Sequence, residues 1–151
     1  MALKERIADD MKAALLGGNR FAGEVLRNLK AAILNEEVSQ GKRDTGLDDA
    51  DIEKVIAREI KKRREATKMY RDNARDDLAD QEEKEADVLA NYLPEQLDET
   101  AIRILVRAKI DELGASSPQA MGQVIGAVKR EAGSSADGAM VAKIVNEELN
   151  K

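Results

Sequence analysis

Three aromatic side chains, Phe21, Tyr70 and Tyr92, are all that this chain can offer a core. Its interior must therefore be built from Leu, Ile, Val, Ala and Met. Such a core suits closely spaced helices better than sheets, because strands favour aromatic and β-branched residues whereas Ala, Leu, Glu and Lys favour helix. Only two prolines, Pro94 and Pro118, interrupt 151 residues, of which 42% are hydrophobic and 36% charged. That balance is the profile of a soluble helical chain, long enough for one domain or two small ones. The expected fold class is all-α.

The apolar spacing supplies the elements. Leu3, Ile7, Met11 and Leu15 recur every fourth residue, one face of a helix that Gly17-Gly18 can end. Asn19 is a good N-cap for a second helix, whose stripe of Ala22, Val25, Leu26, Leu29, Ala32 and Ile33 fades near Gln40-Gly41. Asp48 caps a third, with Leu47 and Ile52 placed to staple across the cap and Val55, Ile56, Ile60, Ala66 and Tyr70 continuing the seam.

A turn near Asp72-Asn73 sends the chain back through a fourth helix, with Leu78, Leu89 and Tyr92 inward, until Pro94 disfavours helix at Leu93. A turn centred there makes facing residues sum to about 145 in an antiparallel hairpin, which pairs Arg63 with Glu82. Beyond Pro94, Asp98 opens a fifth helix carrying Ile102, Leu105, Val106, Ile110 and Leu113 and closed by Gly114. Ser117 with Pro118 starts a sixth, bearing Met121, Val124, Ile125 and Val128, and Asp137 opens a seventh with Val141, Ile144, Val145 and Leu149. The composition shift at Pro94 divides the chain into an N-terminal helical domain, 1–93, containing a bundle with a long antiparallel hairpin, and a small three-helix lobe, 94–151, joined by a short hinge.

What the chain lacks removes most familiar chemistry. It has no cysteine and no histidine, hence no disulfide, thiolate nucleophile, imidazole base or zinc site of the usual kind. The acidic residues from Asp72 to Asp87 read as solvated surface, since carboxylate metal sites in helical bundles combine Glu with a Glu-x-x-His repeat. No catalytic residue, metal or cofactor is expected. The N-terminus lacks a signal peptide's apolar stretch and no run reaches the ~20 apolar residues that span a bilayer, so no membrane partner and a cytoplasmic location are expected.

Two features suit a polyanion. In the last lobe Gly122 and Gly126 lie four apart on one helix face, open to close approach by a helix or a nucleic-acid backbone. Lys129 and Arg130 follow, then the glycine-flanked loop Gly133-Ser134-Ser135-Ala136-Asp137-Gly138, the best candidate for a phosphate contact. The alternative is a basic face on the third helix, Arg58, Lys61, Lys62, Arg64 and Lys68, which also reads as a solvated outer face offset by acidic residues of the return helix. From Pro94 onward, seven Lys/Arg stand against nine Asp/Glu, a net of −2, unlike the basic surface that phosphate-driven binding normally uses.

Tyr92-Leu93-Pro94-Glu95-Gln96-Leu97, Leu113-Gly114-Ala115-Ser116-Ser117, Met121-Gly122 and Ala136-Asp137-Gly138, in that order, resemble the GatB/YqeY family. The resemblance extends from Leu3-Lys4-Glu5-Arg6-Ile7 through Leu26-Arg27 and Glu59-Ile60-Lys61 to the last helix. It implies an all-helical protein whose part after Pro94 is similar to the tail domain of the aspartyl/glutamyl-tRNA amidotransferase B subunit, which helps hold tRNA while other domains do the chemistry. The matching positions are Met121, Gly122, Gly126, Gly133, Ala136, Asp137 and Gly138; Ser134-Ser135 and Ala139 stand where the family is often basic. The family label implies carbon–nitrogen ligase activity with glutamine as amido-N-donor, for which this chain has no constellation. Two readings follow: a tRNA- or amidotransferase-associated module that positions rather than reacts, and a helical protein–protein interaction module using the charged hairpin, where Gln81, Glu82 and Glu85 occupy seam positions.

Overall fold

The computed structural model describes residues 2–151, and among them every regular element is helical. The chain divides into two compact units, one ending at Leu93 and the other Pro94–Lys151. The first holds α1 (Leu3–Leu16), α2 (Arg20–Ser39), α3 (Asp49–Asp72) and α4 (Asp76–Ala90); the second holds α5 (Glu99–Leu113), α6 (Met121–Ala132) and α7 (Gly138–Leu149). Among the described residues no helix is long and apolar enough to cross a membrane.

In the first unit α1 packs on α2 and α3 on α4, and the pairs close on a core of Ile7, Val25, Leu29, Ile52, Ile56 and Leu89 with Tyr92 at its margin. Local chemistry fixes the ends. Asn19 Oδ1 accepts from the Ala22 N–H at 3.2 Å and Asp48 Oδ1 from the Asp51 N–H at 2.8 Å, which satisfies donors that helix starts leave unpaired. Leu47 and Ile52 are both buried, as a staple across the second cap requires. Tyr92 donates its hydroxyl to Asp10 at 2.7 Å and carries the Arg6 guanidinium 4.8 Å over its ring, tying α1 to the chain beyond α4.

The hairpin is real but its register differs from expectation. The turn is centred on Ala74, a left-handed residue with φ +57°, where the Arg75 N–H bonds the Tyr70 carbonyl at 2.8 Å and the Asn73 amide bonds the Met69 carbonyl at 2.7 Å. Moving the centre from 72–73 to 74 shifts facing pairs by three residues. Arg63 consequently meets Glu85, Nε to Oε2 at 3.5 Å, and Glu59 on its own helix at 3.2 Å, instead of pairing with Glu82. Burial and the neighbouring Glu85 push the Glu82 carboxyl above its usual range. The inward residues of α4 are Ala79, Ala86 and Leu89; Leu78 is only half-buried. Small side chains at two of these positions let α3 and α4 approach closely.

In the second unit each helix packs on the other two around Ile102, Val106, Val124, Val128, Val141 and Ile144. Asp98 Oδ1 caps α5 through the Ala101 N–H at 2.8 Å, and Gly114 ends it in the left-handed region at φ +62°. Two expectations fail here. Ser117 makes no side-chain cap, because Pro118–Ala120 forms a 3-10 turn and α6 starts only at Met121. Leu113, read as part of the buried stripe, is 46% exposed at the last position of α5.

Candidate nucleic-acid interface

On α6, Gly122, Gly126, Lys129 and Arg130 fall at i, i+4, i+7 and i+8, so they share one face, and Gly133 follows directly as the C-cap. The opposite face carries Val124, Ala127 and Val128 into the core. The two glycines therefore do not serve packing within the unit. A Cβ on Gly122 would meet nothing within 4 Å, and one on Gly126 would meet only Arg130 Nη1, at 3.5 Å. The reading that these glycines admit a neighbouring helix of the same lobe does not hold; the face is open.

The cations at the end of this stripe are unengaged while most others in the unit are not. Arg103 binds Glu147 at 2.8 Å, Glu148 at 2.7 Å and Glu99 at 3.0 Å; Arg107 adds a contact to Glu148 at 3.1 Å, and Lys109 reaches Glu112 at 2.9 Å and Glu131 at 3.4 Å. Hydrogen bonds from Arg107 and Arg103 hold the Glu148 carboxyl down at about 2. Among the described residues Lys129, Arg130 and Lys143 have no carboxylate within ion-pairing distance. Glu131, the one acidic residue of α6, points away toward Lys109. The cations of α5 are matched by carboxylates of α5, α6 and α7, Glu95, Asp98 and Asp137 lie outside the helices, and the α6 face is locally basic.

The Gly133 to Gly138 corner divides by role. Ser134 and Ser135 form a 3-10 turn whose carbonyls accept from Gln96 Nε2 at 2.7 Å and the Leu97 N–H at 2.8 Å, so their backbone anchors the segment entering α5. Gly133, at φ +55° and ψ −133°, occupies a conformation that a side chain would resist. Gly138 opens α7, and a Cβ there would stand 3.5 Å from Lys129 Nζ, which places the ammonium beside the start of that helix. Asp137 already caps α7 through the Ala139 N–H at 3.3 Å.

The alternative basic face on α3 is more heavily compensated. Arg58 binds Glu36 at 3.1 Å and Lys62 lies 3.6 Å from Glu59; Lys61, Arg64 and Lys68 are exposed without a carboxylate in range among the described residues. Arg71, nearer the turn, is committed to Asp80 at 3.0 Å and Glu83 at 2.8 Å. Sequence pattern alone did not single out Glu37, buried at 1% exposure, although it continues the Leu29 and Ile33 stripe by four residues where a charge is out of place.

Comparison with known proteins decides the family. The model for the YqeY-like protein family matches residues 4–149, covering both units. The chain belongs to the YqeY-like family. Relatives include proteins named "Altered inheritance of mitochondria protein 41, mitochondrial" from three fungi. The Clavispora lusitaniae protein is 28% identical over 61% of this chain and 52% of its own length. Those of Kluyveromyces lactis and Pyrenophora tritici-repentis are 27% identical over 78% and 94% of this chain and 66% and 78% of their own lengths. The chain therefore spans about half the length of the first of these relatives. The expectation of a cytoplasmic location is overturned by these names, which designate mitochondrial proteins; the absence of an apolar leader pattern does not report on compartment.

Proposed function

We propose that this YqeY-like chain is a non-catalytic binding module that takes hold of the tRNA sugar–phosphate backbone, in association with tRNA-amidating machinery, through the exposed face of α6. The observation carrying the reading is the pairing of Gly122, exposed, and Gly126, half-buried and met only by Arg130, with Lys129 and Arg130, which have no carboxylate in ion-pairing range among the described residues. A glycine in a helix interior, as Gly126 is, costs about 1 kcal/mol against alanine, and one in the first turn, as Gly122 is, a fraction of that. Two that no internal contact requires are best accounted for by a partner whose backbone must come close. Phosphates would meet the two cations, and the flat glycine surface would admit the sugar edge.

Protein–protein association through the hairpin has less behind it. The buried seam of α4 runs through Ala79, Ala86 and Leu89; of the polar residues read as seam positions Gln81 is exposed, Glu82 is half-buried, and Glu85 answers Arg63. Intrinsic ligase chemistry finds no support in a chain without histidine, cysteine or a polarised serine.

The test is a titration with unfractionated tRNA at two salt concentrations. Lys129→Ala/Arg130→Ala should weaken binding and reduce the slope of log K against log salt by roughly 1.5 to 2, the equivalent of about two phosphate contacts. Lys61→Ala/Lys62→Ala should leave both unchanged. Loss confined to the second variant would move the site to α3, and no salt-sensitive binding at low ionic strength would end the tRNA reading.

A further inference from the structure

A narrower ligand follows from the side chains that the α6 face presents, given the tRNA reading above on which it rests. The second unit, 94–151, contains no Phe, Tyr, Trp or His; the three aromatic residues of the chain, Phe21, Tyr70 and Tyr92, all belong to the first. Unpaired bases are held by stacking them on aromatic rings or on an Arg guanidinium. On α6 the one guanidinium is that of Arg130, and it lies back along its own helix, Nη1 standing 3.5 Å from where a Cβ on Gly126 would be. The face therefore has no platform for a splayed base. It does have groups for a sugar–phosphate backbone: the Lys129 and Arg130 cations and the amide of Gln123. Gln123 is exposed and precedes Gly126 by three residues and Arg130 by seven, which sets all three on one side of α6.

A carboxamide both donates and accepts hydrogen bonds, and so does the ribose 2′-hydroxyl; deoxyribose offers neither. Shape points the same way. An α-helix with its side chains is ~10–12 Å across, too wide for the ~6 Å minor groove of B-form DNA, whereas the minor groove of A-form RNA is wide, shallow and lined by 2′-hydroxyls. Bare backbone at Gly122 and Gly126 lowers the helix surface beside Gln123, so the amide reaches the groove while the cations further along the strip meet phosphates. We propose that the α6 face recognises paired, A-form RNA, in tRNA a stem and not the unpaired segments, and that Gln123 distinguishes RNA from DNA there through the 2′-hydroxyl.

The full chain is titrated at one low salt concentration against labelled unfractionated tRNA, a mixed-sequence RNA duplex of about 16 base pairs, the DNA duplex of the same sequence and a single-stranded oligouridylate of equal length. The RNA duplex should bind within about threefold of tRNA and about tenfold more tightly than the DNA duplex or the single strand. Gln123→Ala, a change at an exposed position to a good helix former, should weaken the RNA duplex about three- to tenfold and leave the DNA duplex unaffected. Lys129→Ala/Arg130→Ala should weaken both duplexes, and Lys143→Ala, which removes an exposed cation from α7, should leave the RNA-to-DNA ratio unchanged. Circular dichroism of each variant checks that the fold is kept. A DNA duplex or single strand that binds as tightly as the RNA duplex, or an unchanged RNA-to-DNA ratio in Gln123→Ala, would overturn the proposal and, with tRNA still bound, leave the tRNA reading standing. No binding of tRNA or of either duplex would end both, and an RNA duplex that binds where tRNA does not would uphold the duplex preference and end the tRNA reading alone.

Discussion

Replacing Gly122 and Gly126 together by alanine should raise stability and lower tRNA affinity in the same molecule. Neither new methyl meets an obstacle: nothing lies within 4 Å at position 122, and at 126 the contact is an ordinary 3.5 Å to a flexible guanidinium. Neither glycine has a positive φ, so alanine fits both backbones. Gly126 is interior to α6 and its replacement should stabilise by about 1 kcal/mol; Gly122, in the first turn, should add a fraction of that, for a total of roughly 1–1.5 kcal/mol. Because the chain has two units, unfolding should be followed by urea titration on the Val128 and Val145 methyl resonances, which report the second core alone. Affinity is measured on the same samples. A loss of stability would refute the claim that this face is free of internal packing, and a gain in stability with unchanged affinity would refute its role in binding.

Three further outcomes follow from the same structure. Glu148 ionises at about 2 in the fold against an ordinary 4.5, so its contribution is complete above pH 4.5 and disappears as pH falls through that interval; Glu148→Gln should flatten the acid limb of the second unit's stability profile, read by circular dichroism. Glu82 is shifted the other way, by burial and then by Glu85, so its charge opposes folding: Glu82→Gln should stabilise the hairpin at neutral pH, with the advantage narrowing as acid protonates the native side chain. Ala74→Gly removes the strain of an alanine at φ +57° and should stabilise the first unit by up to about 1 kcal/mol in urea unfolding; a loss would mean that the Ala74 methyl makes a contact of value.

The helices were legible because their ends carry chemistry that acts locally. Asn19, Asp48 and Asp98 cap the helices that follow them, and Gly114 adopts the left-handed geometry its position suggests. Interhelical register was not legible, since it depended on whether the turn fell at Asn73 or at Ala74, and alanine gives no signal for a left-handed residue. That single residue decided whether Arg63 faced Glu82 or Glu85. The start of α6 was displaced for a related reason: Pro118 favours a first helical turn but does not distinguish a 3-10 turn from an α-helix.

For the candidate site, helical spacing grouped Gly122 with Gly126, and proximity in the chain set Lys129 and Arg130 beside the glycine-flanked loop. It could not say which way that face pointed, nor that Arg103, Arg107 and Lys109 would absorb the acidic side chains and leave the α6 cations free. Net charge counted over the whole lobe concealed that asymmetry. Glu37 was missed because a lone glutamate at the end of a stripe reads as surface until a lysine thirty-three positions earlier is brought to it.

The most direct measurement is an amide chemical-shift map of the full chain with unfractionated tRNA at low salt. The expected result is a continuous footprint on Gly122, Gly126, Lys129, Arg130 and Gly133, fading as salt rises. Shifts confined to Lys61, Arg64 and Lys68, or no shifts at all, would contradict the assignment of binding to α6.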